Sequence, residues 1–242
     1  MQCLIVEDER KNKINTAHLG LCIKERVDIP SCQKSIEKIS VPGRDGELTV
    51  EGNYQNMQME IELNVMKDNI IDEIRNIKSL LLDAKKIFLS DDEDFFYLVK
   101  NVSIGDIENE VNFYGSFKIN FELDPFAYKS SSFIYNNLNS KLKEDSSFKG
   151  QTVFVRGYIA KPLFEFYANN DISLEIDNFI IKIKNPPNKF YLDFDLLACY
   201  DSMGLSILDK MQGEFPVFYH GEHTIRCIGS NKVKFKLREG YR

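Results

Sequence analysis

The chain has 242 residues, 43% apolar and 28% charged, enough for one large or two modest domains that each bury a core. No apolar run approaches ~18 residues, so no membrane span is expected, and the opening Met1-Gln2-Cys3-Leu4 lacks the basic stretch and long apolar run of a signal peptide. The net charge of −6 is uneven: residues 1–135 hold 16 Lys and Arg against 24 Asp and Glu, and residues 136–242 hold 15 against 13, so the acidic front half argues against a direct grip on nucleic acid.

Early in the chain, Ile39-Ser40-Val41 and Glu47-Leu48-Thr49-Val50 flank Pro42-Gly43-Arg44-Asp45-Gly46. Pro presets φ and the glycines accept positive φ, so this segment is predicted to be a hairpin with a tight loop. The alternation in Met57–Val65 is unbroken and predicts a strand with one buried face. A helix is predicted over about residues 69–85. Asp68 or Asn69 is its cap, Ile70, Ile71, Ile74, Ile77, Leu81 and Ala84 form its stripe, and Lys85 and Lys86 lie in its last turn. Strands follow at Ile87–Leu89 and Phe95–Val102, with Asp91-Asp92-Glu93-Asp94 between them as a solvated tip. That acidic run lacks the spaced ligands and central Gly of a calcium loop. Phe117–Leu123 alternates again and runs into Asp124-Pro125-Phe126-Ala127-Tyr128.

Residues 129–151 turn polar and Ser/Asn-rich, which places a boundary there: 1–135 as a first domain, with the last strand of the chain a possible addition to it, and 136–242 as a second. The second half is a succession of short β-runs: Leu163–Phe166, Leu174–Ile176, Ile181–Ile183 after the turn pair Asp177-Asn178, Phe190–Phe194, Phe215–Val217, Thr224–Ile228 and Val233–Leu237. Their spacing predicts a β-sandwich. The fold class is therefore mainly β, a β-rich α+β chain whose first domain carries one helix.

Enzymatic signals are weak throughout. The five cysteines, Cys3, Cys22, Cys32, Cys199 and Cys227, are odd in number and form no CxxC pair, which predicts reduced, mostly buried thiols rather than a disulfide framework or zinc site. His220 and His223 flank Glu222 but lack a third ligand, so no metal is expected. Asp193 and Asp195 are expected on one strand face pointing to solvent, an arrangement that cannot flank a glycosidic bond from both sides. Phosphate loops, serine elbows and zincin motifs are missing. No catalytic residue, cofactor or metal is expected. A carbohydrate-binding role would rest on Tyr167, Tyr191, Tyr200 or Tyr219, since the chain has no Trp.

Val41-Pro42-Gly43-Arg44-Asp45-Gly46-Glu47-Leu48 resembles the hairpin of the distal tail proteins of siphophages and related prophages of Gram-positive bacteria, and Asp124-Pro125-Phe126-Ala127-Tyr128 resembles the run that closes their first domain. Further resemblances lie in Lys161–Phe166, in Leu192-Asp193-Phe194-Asp195 with Cys199-Tyr200, and in Gly213–Val217 followed by His220–Ile225, which includes Phe215, Pro216 and Gly221. Here Tyr219-His220 stands in place of the family's Pro before Gly221, and His223 in place of its Asn.

The resemblance implies a tail-tube-like first domain and a galectin-like sandwich. It implies a structural, non-enzymatic hub at the phage tail tip: a homo-oligomeric ring, typically hexameric, that joins the tail tube protein to a tail-associated lysin or tail-fibre hub protein and lets DNA pass. A receptor-binding protein is a further implied partner. The protein would be made in the host bacterial cytoplasm and used in the virion, with no specific nucleic-acid binding and no membrane insertion. Two alternatives stay open: a carbohydrate-binding module for host adsorption, or a hub or tube protein of a phage-derived bacteriocin particle.

Overall fold

The computed structural model describes residues 2–66, 70–106, 108–111, 114–141 and 150–242. It is mainly β and divides into two compact units, Met1–Tyr128 with Arg242, and Lys129–Tyr241.

The first unit contains strands β1 (Leu4–Glu7), β2 (Lys13–Asn15), β3 (Leu21–Ile23), β4 (Lys34–Ser40), β5 (Glu47–Tyr54), β6 (Met57–Met66), helix α1 (Ile70–Leu82), and strands β7 (Lys86–Leu89), β8 (Asp92–Ile104), β9 (Glu108–Val111) and β10 (Tyr114–Lys129). β6 lies between β3 and β10, with Leu21 opposite Val65 and Ile119 opposite Ile61. β10 also pairs β8, and the sheet continues through β7 and β1 to β2. The alternation read from the sequence sets the inward face. Met57, Met59, Ile61, Leu63 and Val65 of β6 are buried with Phe117, Ile119, Phe121 and Leu123 of β10. Ile77 and Leu81 of α1 complete this core, each 2% exposed or less. A fully buried Leu or Ile side chain contributes roughly 1.5–3 kcal/mol of apolar transfer.

The helix is shorter than its periodicity predicts. It ends at Leu82, and Lys85 and Lys86 lie beyond it, Lys86 already in β7. Ala84 stays buried because the chain turns back over the core before β7 begins. The predicted caps Asp68 and Asn69 lie outside the described residues. The acidic tip is also narrower than expected, since Asp92 opens β8 and pairs with Leu89.

The second unit contains β11 (Asn136–Leu138), β12 (Ser140–Lys141), β13 (Gln151–Ala160), β14 (Leu163–Ile176), β15 (Phe179–Ile183), β16 (Lys189–Asp193), β17 (Ala198–Asp201), β18 (Met211–Gln212), β19 (Phe218–Lys236) and β20 (Glu239–Tyr241). β14 and β19 pair antiparallel along most of their length and serve two layers. Their Leu163–Tyr167 and Lys232–Lys236 halves pair with each other and carry β16, β17 and β11 on their flanks. Their Ser173–Ile176 and Ile225–Ile228 halves carry β15 and β13. Register shifts at Ala168 and Ser173 mark the passage between layers. Gly229, with φ +94, sits at the same bend, where a Cβ would run into the Asp171 carbonyl. The enclosed core joins Phe164, Phe166, Phe190, Val233 and Phe235 of one layer to Val155, Leu174, Ile181 and Cys227 of the other. Val233 and Phe235, in the last long strand, are thus core residues of this unit.

Candidate functional site

The hairpin β4–β5 is a two-stranded sheet of its own. Gly43 and Gly46 take φ of 82° and 80°, the Arg44 amide donates to the Val41 carbonyl (3.1 Å), and Pro42 and Asp45 complete an exposed loop. Ile39 faces Leu48 and Glu37 faces Val50 across the strands. Ile39, Leu48 and Val50 therefore share one face, 41%, 39% and 48% exposed. The other face holds the ion pairs Lys34–Glu51 and Lys38–Glu47 (3.8 Å). The Lys34 ammonium, by hydrogen bond and then by charge, holds the Glu51 carboxyl below its ordinary range.

The base of this hairpin rests on the second motif. Tyr54 stands edge-on to Phe126 (centroids 5.3 Å apart, 63° between planes). Burial along β10 changes face at this point: it falls on odd positions through Leu123, then on Asp124, Phe126 and Tyr128. Asp124 is 7% exposed and accepts hydrogen bonds from the Tyr128 hydroxyl (2.7 Å) and the Lys100 ammonium (2.9 Å). Pro125, which has no N–H to give, sits half-buried between the two buried residues.

The outward face of β6 and β10 is polar. Lys118 lies opposite Glu62 and pairs with Glu60 (2.7 Å), Lys24 pairs with Glu62 (2.7 Å), and Glu122 accepts from Asn56 (2.8 Å). Their carboxylates outnumber the lysines they meet along this row.

In the second unit, Phe215 meets Phe194 edge-on (5.2 Å), Pro216 is buried, and Gly221 takes φ +131 opposite Val155. Asp193 does not point to solvent as the sequence suggests. It is 3% exposed, receives both Arg238 guanidinium nitrogens (2.9 and 3.0 Å), and accepts the Asp195 and Leu196 amides, so a pairing partner from beyond β19 draws it inward. Asp195 lies past the end of β16 and pairs instead with Lys161 (2.7 Å). Glu165 is another buried carboxylate. Burial pushes its pKa up, but hydrogen bonds from Tyr167 and Lys189 outweigh that and leave it below 4.5. Tyr167 is two residues from Glu165, but sequence spacing signals neither Lys189 nor Arg238, which lie far along the chain from the carboxylates they meet.

The remaining candidates stay apart. His220 faces the Arg156 carbonyl and the Phe154 ring, whereas His223 faces Asp177. Tyr191 and Tyr200 stack on each other (5.4 Å), Tyr167 bonds Glu165, and only Tyr219 of the four tyrosines is exposed. None of the five cysteines is in a disulfide, but only Cys199 and Cys227 are fully buried, and burial raises both thiols to about 12. Cys3, Cys22 and Cys32 are half-buried, in strand or loop positions at the margin of the first core.

Over 100% of both chains the structure matches the SPP1 Dit (gp 19.1) protein, described as a paradigm of the hub adsorption apparatus in phages that infect Gram-positive bacteria, with a TM-score of 0.69 and 13% identity. The chain has the Dit fold. It also matches chains of the phage P2 baseplate in its activated conformation, with TM-scores of 0.54 (the Ca form, 12% identity) and 0.55 (the Sr form, 13% identity), each over 99% of this chain and 98% of the other. No protein-family model and no curated protein matches the sequence. The Dit fold thus persists here where overall identity has almost vanished, and what was legible of it in the sequence lies in short ordered motifs.

Proposed function

We propose that this chain is a structural tail-tip hub protein of a phage or phage-derived particle, forming a ring through its first unit. The observation that carries this reading is hairpin β4–β5. An isolated two-stranded sheet is marginal in water, yet this one holds Ile39, Leu48 and Val50 in solvent on one face, with Glu37 beside them, and ion pairs on the face opposite. Covering that face with another subunit would contribute about 1 kcal/mol for each of the three half-exposed side chains. A hairpin reaching from every copy to the next is a heterologous contact, which closes into a ring when its rotation divides a full turn.

The Dit fold and the baseplate likenesses support a place between the tail tube and the tail-tip proteins. The tail tube protein, a tail-associated lysin or fibre hub protein, and a receptor-binding protein are the proposed partners, and a hexamer the proposed ring. The acidic outward face of β6 and β10, with Glu60, Glu62 and Glu122, suits a lumen past which DNA slides without sticking. This is a scaffolding role and requires no catalytic group.

The test is mass measurement with negative-stain microscopy at high protein concentration. Rings with a central hole are expected from the native chain. The variant Leu48→Asp, which alters only an exposed position, should remain a folded monomer. A native chain that stays monomeric at every concentration, or Leu48→Asp rings equal in yield to the native ones, would refute the reading.

A further inference from the structure

His223, on β19 of the second unit, has both ring nitrogens in hydrogen bonds. Nδ1 lies 2.7 Å from Oδ2 of Asp177, in the turn between β14 and β15, and Nε2 lies 2.8 Å from the Tyr219 carbonyl, four residues back along its own strand. Asp177 holds a positive φ of 51°, and its other oxygen accepts the Thr224 amide at 2.8 Å. The His223 side chain is 13% exposed, with the Phe218 ring 4.9 Å away.

A backbone carbonyl only accepts, and so does an ionised carboxylate; neutral imidazole has a single N–H. A neutral ring would therefore set one lone pair against another at one of the two contacts. The imidazolium satisfies both at once, and its bond to Asp177 is charge-assisted.

We propose that His223 is a pH-operated clasp, closed by the doubly protonated ring, that ties the Asp177 turn to the start of β19. Both groups that meet the ring nitrogens are acceptors, so neither supplies a proton to the contact. Asp177 is the charged group facing it from the turn. Val153 is its cross-strand neighbour on β13. On β19 itself Glu222 is exposed, and along its ladder with β14 Ile225 lies opposite Ile176 before Arg226 pairs with Glu175 (3.0 Å). The clasp is complete while both ring nitrogens carry a proton and loses one bond when either gives its proton up. It anchors a rim of exposed apolar side chains, Phe179 (48%), Ile180 (51%) and Tyr219 (55%), so proton loss loosens that rim and not the core.

The experiment is long-range proton–nitrogen NMR of the full chain, with amide exchange, from about pH 5 to about pH 8, a span that brackets ordinary histidine titration. The chain has three histidines, and His223→Gln assigns the signal. Two protonated ring nitrogens are expected in acid, with exchange at Asp177 and Thr224 rising on the order of tenfold beyond its intrinsic pH dependence as the clasp opens. Asp177→Asn is the second variant. Its amide can donate to a neutral ring while its oxygen still accepts the Thr224 amide, so exchange there should become independent of the ring. A single ring tautomer across the whole range, or the same excess pH dependence in His223→Gln, overturns the proposal.

Discussion

Asp193 and Arg238 show how one buried pair fixes the end of the second unit. The carboxylate meets a two-pronged guanidinium while also holding two turn amides, so removing either partner strands the other. Asp193→Ala is expected to cost about 3 kcal/mol, in the range for breaking a buried pair, and thermal unfolding with the Arg238→Ala single and double variants would measure the coupling. The double variant should cost less than the two single costs summed. Glu165 gives a pH signature of its own. Its pKa is lowered in the folded chain, so its contribution is fully present above its ordinary 4.5 and fades as pH falls below that. Glu165→Gln should flatten this acid limb, which denaturant titrations at successive pH values would reveal.

Among the elements, the long strands depend on their bends. Gly229→Ala places a methyl against the Asp171 carbonyl at a backbone angle that L-residues rarely adopt. A loss of about 2 kcal/mol or more is expected from strain of this kind, measurable by chemical denaturation. Elements were readable where one face meets a core and the other meets water. The alternation of β6, the Phe117–Leu123 part of β10 and the turn formers at residues 42–46 follow that rule directly. It fails at Leu123-Asp124, where the buried side of β10 changes, because Phe126 and Tyr128 face a different set of aromatic neighbours. The helix end is a second case. Apolar spacing continues to Ala84 although the helix stops at Leu82, since burial alone does not distinguish a helical turn from a chain folding back. The inward turn of Asp193 was invisible for a third reason: Arg238 comes from the far end of the chain.

For the whole molecule, the sharpest expectation concerns salt. A ring held by apolar hairpin faces should persist as ionic strength rises, whereas one held mainly by exposed ion pairs such as Lys38–Glu47 should fall apart. Sedimentation of the assembled protein in low and high salt separates the two, and persistence is the expected result. The path of β14 and β19 bears on how the second unit resists mechanical load. Each strand passes uncut through both layers of the second unit. Stress applied to one layer is therefore carried into the other by the peptide backbone itself. The two layers cannot part like the halves of a shell; the pair of long strands would first have to be unzipped, rung by rung.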